Sequence, residues 1–161
     1  MKFSAQEEYG LRCLLQIARQ GTQGSLTIPE IASAEGLSVP YVAKLVRILR
    51  QGGFVKSTRG QTGGYALCCS PDQVVVGDVL ALLGGKLFES DYCERHPGVV
   101  SMCTHTTDCS IRSLWEAVQT EVDQVLSRTT LRMLVGSETD KASSGSDLVQ
   151  IARVSQVLST A

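Results

Sequence analysis

Between Thr27 and Cys69 the chain places its helix stops and starts so close together that few arrangements remain open to it. Thr27-Ile28-Pro29-Glu30 opens a helix: Thr27 caps it, Glu30 completes a capping box, and Pro29 falls in the first turn, where its missing N–H is tolerated. That helix runs through Ile31 and Ala32 to Glu35 and stops at Gly36. Ser38 is a second N-cap with Pro40 in the next first turn, so another helix follows over about 39–51. Val42, Leu45, Val46 and Leu49 make its inward face, and Tyr41, Lys44 and Arg47, spaced three apart, its outward one. Gly52-Gly53 ends it. Two short strands, Phe54 to Thr58 and Tyr65 to Cys69, then flank the tip Arg59-Gly60-Gln61-Thr62-Gly63-Gly64. A short helix, a glycine turn, a second helix with a basic outer face and a glycine-tipped hairpin are the parts of a winged helix-turn-helix.

The charge pattern indicates what that surface meets. The formal net charge is −1, yet no acidic residue occurs between Glu35 and Asp72, a stretch that holds Lys44, Arg47, Arg50, Lys56 and Arg59. A solvated face normally mixes both signs, whereas an acid-free basic stretch in a near-neutral chain is a local footprint for phosphate. The Arg59-Gly60 tip has the form of a wing able to enter a narrow minor groove. Double-stranded DNA is therefore the expected partner.

The flanking sequence supplies the rest of a mainly α fold. Residues 4–20 predict an amphipathic helix with Leu11, Leu14, Leu15 and Ala18 on one stripe and Cys13 beside it as a small buried hydrophobe. Val74 to Leu83 predicts a further core helix, closed by Gly84-Gly85. From Ile111 onward, Ile111, Leu114, Trp115, Val118, Val122 and Val125 form a narrow apolar stripe over more than four turns. Such a stripe on a long helix asks for another long helix, and the chain has none nearby, so a homodimer and a palindromic DNA site are expected. Leu131 to Val135 reads as a short apolar remnant, GSETDKASSGS as a linker, and residues 147–158 show only weak helical period. The expected fold is mainly α with a small β-hairpin wing: a winged helix-turn-helix over 1–85, a cysteine loop over 86–109, a long dimerisation helix and short segment over 110–135, and a tail of unassigned role over 136–161.

The cysteine loop, CERHPGVVSMCTHTTDC, carries Cys93, Cys103 and Cys109 with His96 and His105 between them. No apolar run approaches the roughly 18 residues needed to span a bilayer, and MKFSAQEEYG has no signal-peptide core. A cytoplasmic protein is expected, in which thiols stay reduced and gathered cysteines bind metal or sense redox state. A helix starting at about residue 110 turns its positive end toward Cys109, a suitable place for a thiolate ligand. Structural zinc sites bring closely spaced cysteine pairs, which this loop lacks. Cys68-Cys69 is adjacent on a strand, so its side chains are expected on opposite faces in a structural role. No residue constellation points to a hydrolytic or transfer enzyme.

Taken together, the opening MKFS…EYGLRCL, the segment IPEIASAEGLSVPYVAKLVRILRQGGFVKSTRGQTGGYAL, VVVGDVLALLGG, the cysteine loop, the tryptophan-bearing helix and TTLRMLV resemble the winged-helix iron–sulfur regulators typified by IscR, NsrR and RsrR. The resemblance covers about residues 1–135. It implies a dimer that binds promoter DNA, with Ser38, Tyr41 and Lys44 at recognition-helix positions and Arg59 at the wing tip. Pro40 and Ala43 stand where some members carry polar readers, so the target sequence does not carry over. It also implies an iron–sulfur cluster, [2Fe–2S] or [4Fe–4S], on Cys93, Cys103 and Cys109. IscR-like members add a histidine three residues after the last cysteine, but Arg112 stands there. NsrR-like and RsrR-like members take an acidic ligand from the first helix of the other subunit, and Glu8 matches that position. His96 and His105 are the rival fourth ligands, with water or a small thiol as a further choice. On this reading the cluster lies across the dimer and sets the relation between the two winged helices, hence DNA affinity. A metal-free thiol sensor using Cys103 and Cys109 is the alternative regulator, and an iron–sulfur carrier on a winged-helix scaffold the alternative from another class.

Overall fold

The computed structural model describes residues 4–21, 24–60, 63–85 and 109–140, the last four by backbone alone. It is mainly helical with one two-stranded antiparallel hairpin, the winged-helix architecture that the sequence predicts. Helix α1 spans Ala5–Arg19, α2 Ile28–Glu35 and α3 Val39–Gln51. The hairpin follows as β1 (Val55–Thr58) and β2 (Gly64–Leu67), then α4 (Val76–Leu83), α5 (Ser110–Arg128) and α6 (Leu131–Asp140).

Helix α1 starts on a capping box that the sequence reading did not single out, although Ser4-Ala5-Gln6-Glu7 has its pattern. The Ser4 hydroxyl accepts from the Glu7 N–H at 3.2 Å, and the Glu7 carboxylate accepts from the Ser4 N–H at 2.6 Å. The buried face is Gly10, Cys13, Leu14, Ile17 and Ala18. It is rotated from the expected stripe, because two small residues rather than leucines lie on the contact line. Leu11 and Leu15 pack at its flanks, half-buried.

The helix-turn-helix follows its local signals. Thr27 and Glu30 form the expected box, with the Thr27 N–H donating to the Glu30 carboxylate at 2.8 Å. That bond and the one from the Thr27 hydroxyl hold the Glu30 carboxyl below its ordinary pKa, the hydroxyl contributing more. Gly36 ends α2 in the left-handed region at φ 65°, which a Cβ would strain. Ser38 takes the N-cap position of α3 by backbone alone: its carbonyl accepts from Tyr41 and Val42, and its side chain makes no capping bond. Val42, Leu45, Val46 and Leu49 are fully buried and share one core with Leu14, Ile17 and Ile31.

Both predicted strands shift by a residue or two. The register pairs Val55 with Leu67 and Thr58 with Gly64. Leu26, just before α2, forms an isolated bridge with Tyr65 through backbone hydrogen bonds of 3.0 and 2.7 Å, tying the hairpin to the helix-turn-helix. Cys68 and Cys69 therefore lie beyond the strand, where the chain bends at both residues and both are exposed. Their expected places on opposite faces of a strand do not hold.

Helix α4 begins two residues later than predicted because Val75 is extended and the chain from Val74 to Val76 pairs elsewhere. Val75 bridges to Thr130, the Val76 N–H reaches the Thr129 carbonyl, and the Leu131 N–H reaches the Val74 carbonyl, both at 2.9 Å. A run of β-branched valines suits either conformation locally, and this tertiary pairing decides it. The C-terminal end of α5 is thereby fixed to the winged helix. Leu131, read as the start of a remnant, is fully buried and opens α6, which packs on α1 and runs to Asp140, into the stretch read as linker.

Candidate nucleic-acid interface and metal centre

The outward face of α3 and the hairpin carry the basic groups. Ser38, Lys44 and Arg47 are exposed on α3, as are Arg59 and Gly60 at the hairpin tip. Arg50 and Lys56, cations of the same acid-free stretch, are exposed as well. Gly60 has φ 115°, and its carbonyl accepts from the Gly63 N–H at 2.9 Å, closing the tip. Gln61 and Thr62, between them, lie outside the described residues.

Tyr41 differs from its expected place. It is half-buried, with its ring edge-to-face on Tyr9 at a centroid distance of 6.1 Å and an interplanar angle of 82°. A step of three residues falls roughly 60° short of a full turn of helix, so Tyr41, Lys44 and Arg47 fan out and the first meets the edge of α1. The sequence reading missed this contact and the ionic one beside it. The Arg12 Nε donates to the Glu35 carboxylate at 2.6 Å, and its guanidinium lies 5.5 Å over the Tyr9 ring. Gln16 donates to the other oxygen of Glu35. Glu35, through its hydrogen bond and its charge, raises the Arg12 pKa, with a smaller contribution from Glu8. One polar face of α1 thus holds the end of α2 and the start of α3. No local pattern announces a pair that is 23 residues apart.

Of the expected metal ligands, Cys93 and Cys103 lie outside the described residues, as do His96 and His105. Cys109 stands at the N-cap of α5, half-exposed. Its carbonyl accepts from the Ser113 N–H at 3.1 Å, while its thiol makes no capping bond. Glu8 is exposed on the first turn of α1, whereas its neighbour Glu7 is buried in the capping box. Arg112, where a histidine ligand would stand, pairs with Glu116 at 3.0 Å. Among the described residues no three metal-binding side chains gather. The two described donors, the Cys109 thiol and the Glu8 carboxylate, are both accessible and are of types that can ligate iron.

The long helix completes the picture. No residue of α5 is buried; Ile111 is 63% exposed, Leu114 56% and Trp115 45%. Among the described residues, no helix is long and apolar enough to cross a membrane.

Residues 3–137 match the model of Rrf2, described as an iron-dependent transcriptional regulator. The chain belongs to the Rrf2 family. It is 33% identical over 135 residues to the protein rrf2 of Nitratidesulfovibrio vulgaris, covering 84% of this chain and 87% of that one. It is 34% identical over 134 residues to the transcriptional regulator CymR of Bacillus subtilis, covering 83% and 89%. Among solved structures, it is similar to CymR, the global cysteine regulator of B. subtilis, with a TM-score of 0.70, 31% identity and coverage of 84% of this chain and 97% of that one. It is equally similar to IscR of T. potens, with a TM-score of 0.70, 28% identity and coverage of 93% and 96%. This Rrf2 chain is a winged-helix transcriptional regulator, and regulators of this family bind DNA.

Proposed function

We propose that this Rrf2 protein is a homodimer that binds a palindromic promoter site, with DNA affinity set by an iron–sulfur cluster on Cys93, Cys103, Cys109 and Glu8 of the second copy. The observation that supports the reading is the layout of α5. Cys109 occupies its N-cap position, and the apolar stripe Ile111, Leu114 and Trp115 lies exposed directly after it. A ligand to the cluster and a dimer seam thus belong to one rigid element. Bound there, an iron–sulfur cluster would supply a centre sensitive to oxidants, to nitric oxide or to iron and cluster supply. The residues of the chain do the rest. Cys109 holds its end of α5 to the site, and Glu8 brings in α1 of the other copy. The Tyr9, Arg12 and Glu35 contacts link α1 to α2 and α3. Lys44, Arg47 and Arg59 meet DNA, with Ser38, Tyr41 and Gly60 at the same surface. His96 and His105 are the competing fourth ligands.

A second reading, a metal-free thiol sensor using Cys103 and Cys109, is favoured by the likeness to the global cysteine regulator. Anaerobic purification with absorbance and iron–sulfide analysis, of wild type beside Glu8→Ala, separates the two. The cluster reading expects a coloured wild type and a depleted or spectrally altered variant. A colourless wild type that binds its operator fully supports the thiol sensor instead. Lys44→Ala and Arg59→Ala should each weaken DNA binding, and the salt dependence should flatten by about one unit of log–log slope per lost phosphate contact.

A further inference from the structure

Cys68 and Cys69 take no part in the proposed cluster site, and the fold gives them an unusual setting. They are free, adjacent and both exposed. Along a strand their thiols would diverge, but β2 ends at Leu67 and the chain bends at both residues. The segment is held at each side. The Cys68 N–H donates to the Phe54 carbonyl at 3.0 Å, closing the base of the wing, and three residues later the Pro71 carbonyl accepts from the Arg132 N–H at 3.1 Å. Arg132 also lies 3.6 Å from the Asp72 carboxylate. The two thiols therefore sit on the short span that joins the wing to α6.

We infer that Cys68 and Cys69 form a two-thiol chelating site for a trivalent, thiophilic arsenical, and that its occupation acts on the wing and weakens DNA binding. Chelation suits the pair better than a direct disulfide. The described peptide bonds are all trans, which puts adjacent Cα atoms about 3.8 Å apart. Disulfides usually need roughly 4.4–6.8 Å. One bridging atom enlarges the ring and relieves that strain. The step is an exchange without electron transfer: each S–H bond gives way to an S–As bond, each As–O bond breaks, and each proton leaves with its hydroxide as water. Bridging the two thiols fixes the bend between the Phe54 anchor and the Arg132 anchor, so the hairpin loses its freedom to follow the groove. The effect on DNA rests on the wing contact proposed above.

The test uses the full chain with phenylarsine oxide and excess glutathione, which strips adducts held by a single thiol. Intact mass and peptide mapping should place one phenylarsenic bridge on Cys68 and Cys69, lost in Cys68→Ser and in Cys69→Ser and kept in Cys103→Ser. Treated wild type should bind its operator about tenfold more weakly, while treated Cys68→Ser should bind as before treatment. A bridge confined to the Cys93–Cys109 loop, or one retained in both serine variants, overturns the site. Unchanged operator affinity in protein carrying the mapped bridge overturns the link to the wing. Failure of untreated Arg59→Ala to lose affinity counts against the DNA contact instead, and the mapping result is independent of it.

Discussion

Replacing Gly64 by alanine probes the joint between the hairpin and the helix-turn-helix. A Cβ at this position would lie 2.6 Å from the Leu26 carbonyl oxygen, 2.7 Å from its carbon and 3.1 Å from the Thr27 nitrogen. All three are backbone atoms, so no side chain can rotate away. Relief requires Leu26 to move, which breaks the two hydrogen bonds to Tyr65 of 3.0 and 2.7 Å. Two such bonds contribute about 1 kcal/mol each, and residual overpacking adds roughly 1 kcal/mol more. The stiffer unfolded chain of the variant returns about 0.5 kcal/mol, leaving a net loss of about 2–3 kcal/mol. Gly36→Ala is the control: φ is 65° and nothing lies within 4 Å of the added Cβ. It carries only the left-handed backbone cost of about 1 kcal/mol. Urea unfolding of both variants and wild type at one fixed protomer concentration measures the difference. Faster amide exchange at Leu26 and Tyr65 should accompany the loss in Gly64→Ala. A Gly64→Ala protein within about 0.5 kcal/mol of wild type would refute the reasoning, since it would mean that the Leu26 bridge contributes little.

Arg12→Ala should cost about 1 kcal/mol in the same urea assay. The estimate is discounted because the Arg12 side chain is 44% exposed, but the Glu35 carboxylate left behind is only 6% exposed. Glu35→Gln, which keeps a hydrogen-bonding partner, should cost less than Arg12→Ala. Burial pushes the Cys13 thiol up to about 12 from an ordinary 9.0. The unfolded chain therefore loses this proton first, and the Cys13 contribution to stability is complete below pH 9 and is lost as pH rises from about 9 to about 12. A Cys13→Ala variant should show a flatter stability profile across that window in alkaline unfolding, and native Cys13 should resist thiol reagents that label Cys68 and Cys69. Leu114→Glu should weaken self-association about tenfold or more by sedimentation, and an unchanged mass distribution would sink the α5 seam.

What the sequence reveals divides along range. Thr27 to Gly53 is legible because each signal acts on its neighbours: a capping box spans three residues, and Gly36 ends a helix by its own backbone freedom. The core face of α3 is legible because four of its residues repeat at helical spacing. The errors come where distant residues compete with local preference. Pairing of Val75 with Thr130 holds Val75 extended and delays α4, pairing of Tyr65 with Leu26 shifts the strand, and the end of β2 at Leu67 releases Cys68 and Cys69. Tyr41 reads as fully outward when its spacing is taken along α3 alone, and the half-burial against Tyr9 comes from α1 beside it. The basic surface was visible from charge, and Cys109 at the start of α5 from the change in periodicity. The docking of Arg12 on Glu35 was not, because a salt bridge between two helices leaves no periodic trace.

The backbone pairing of Val74 to Val76 with Thr129 to Leu131 makes α5 a lever with its fulcrum at one end. Nineteen residues give it a length of about 28 Å, and only the C-terminal end is fastened to the winged helix by these bonds. A tilt of about 10° at the fulcrum carries the Cys109 end through about 5 Å, with the length taken from helical rise. Whatever grips that far end therefore works with a mechanical advantage: a shift of several ångströms near Cys109 corresponds to a rotation of only about 10° at the end held by the winged helix.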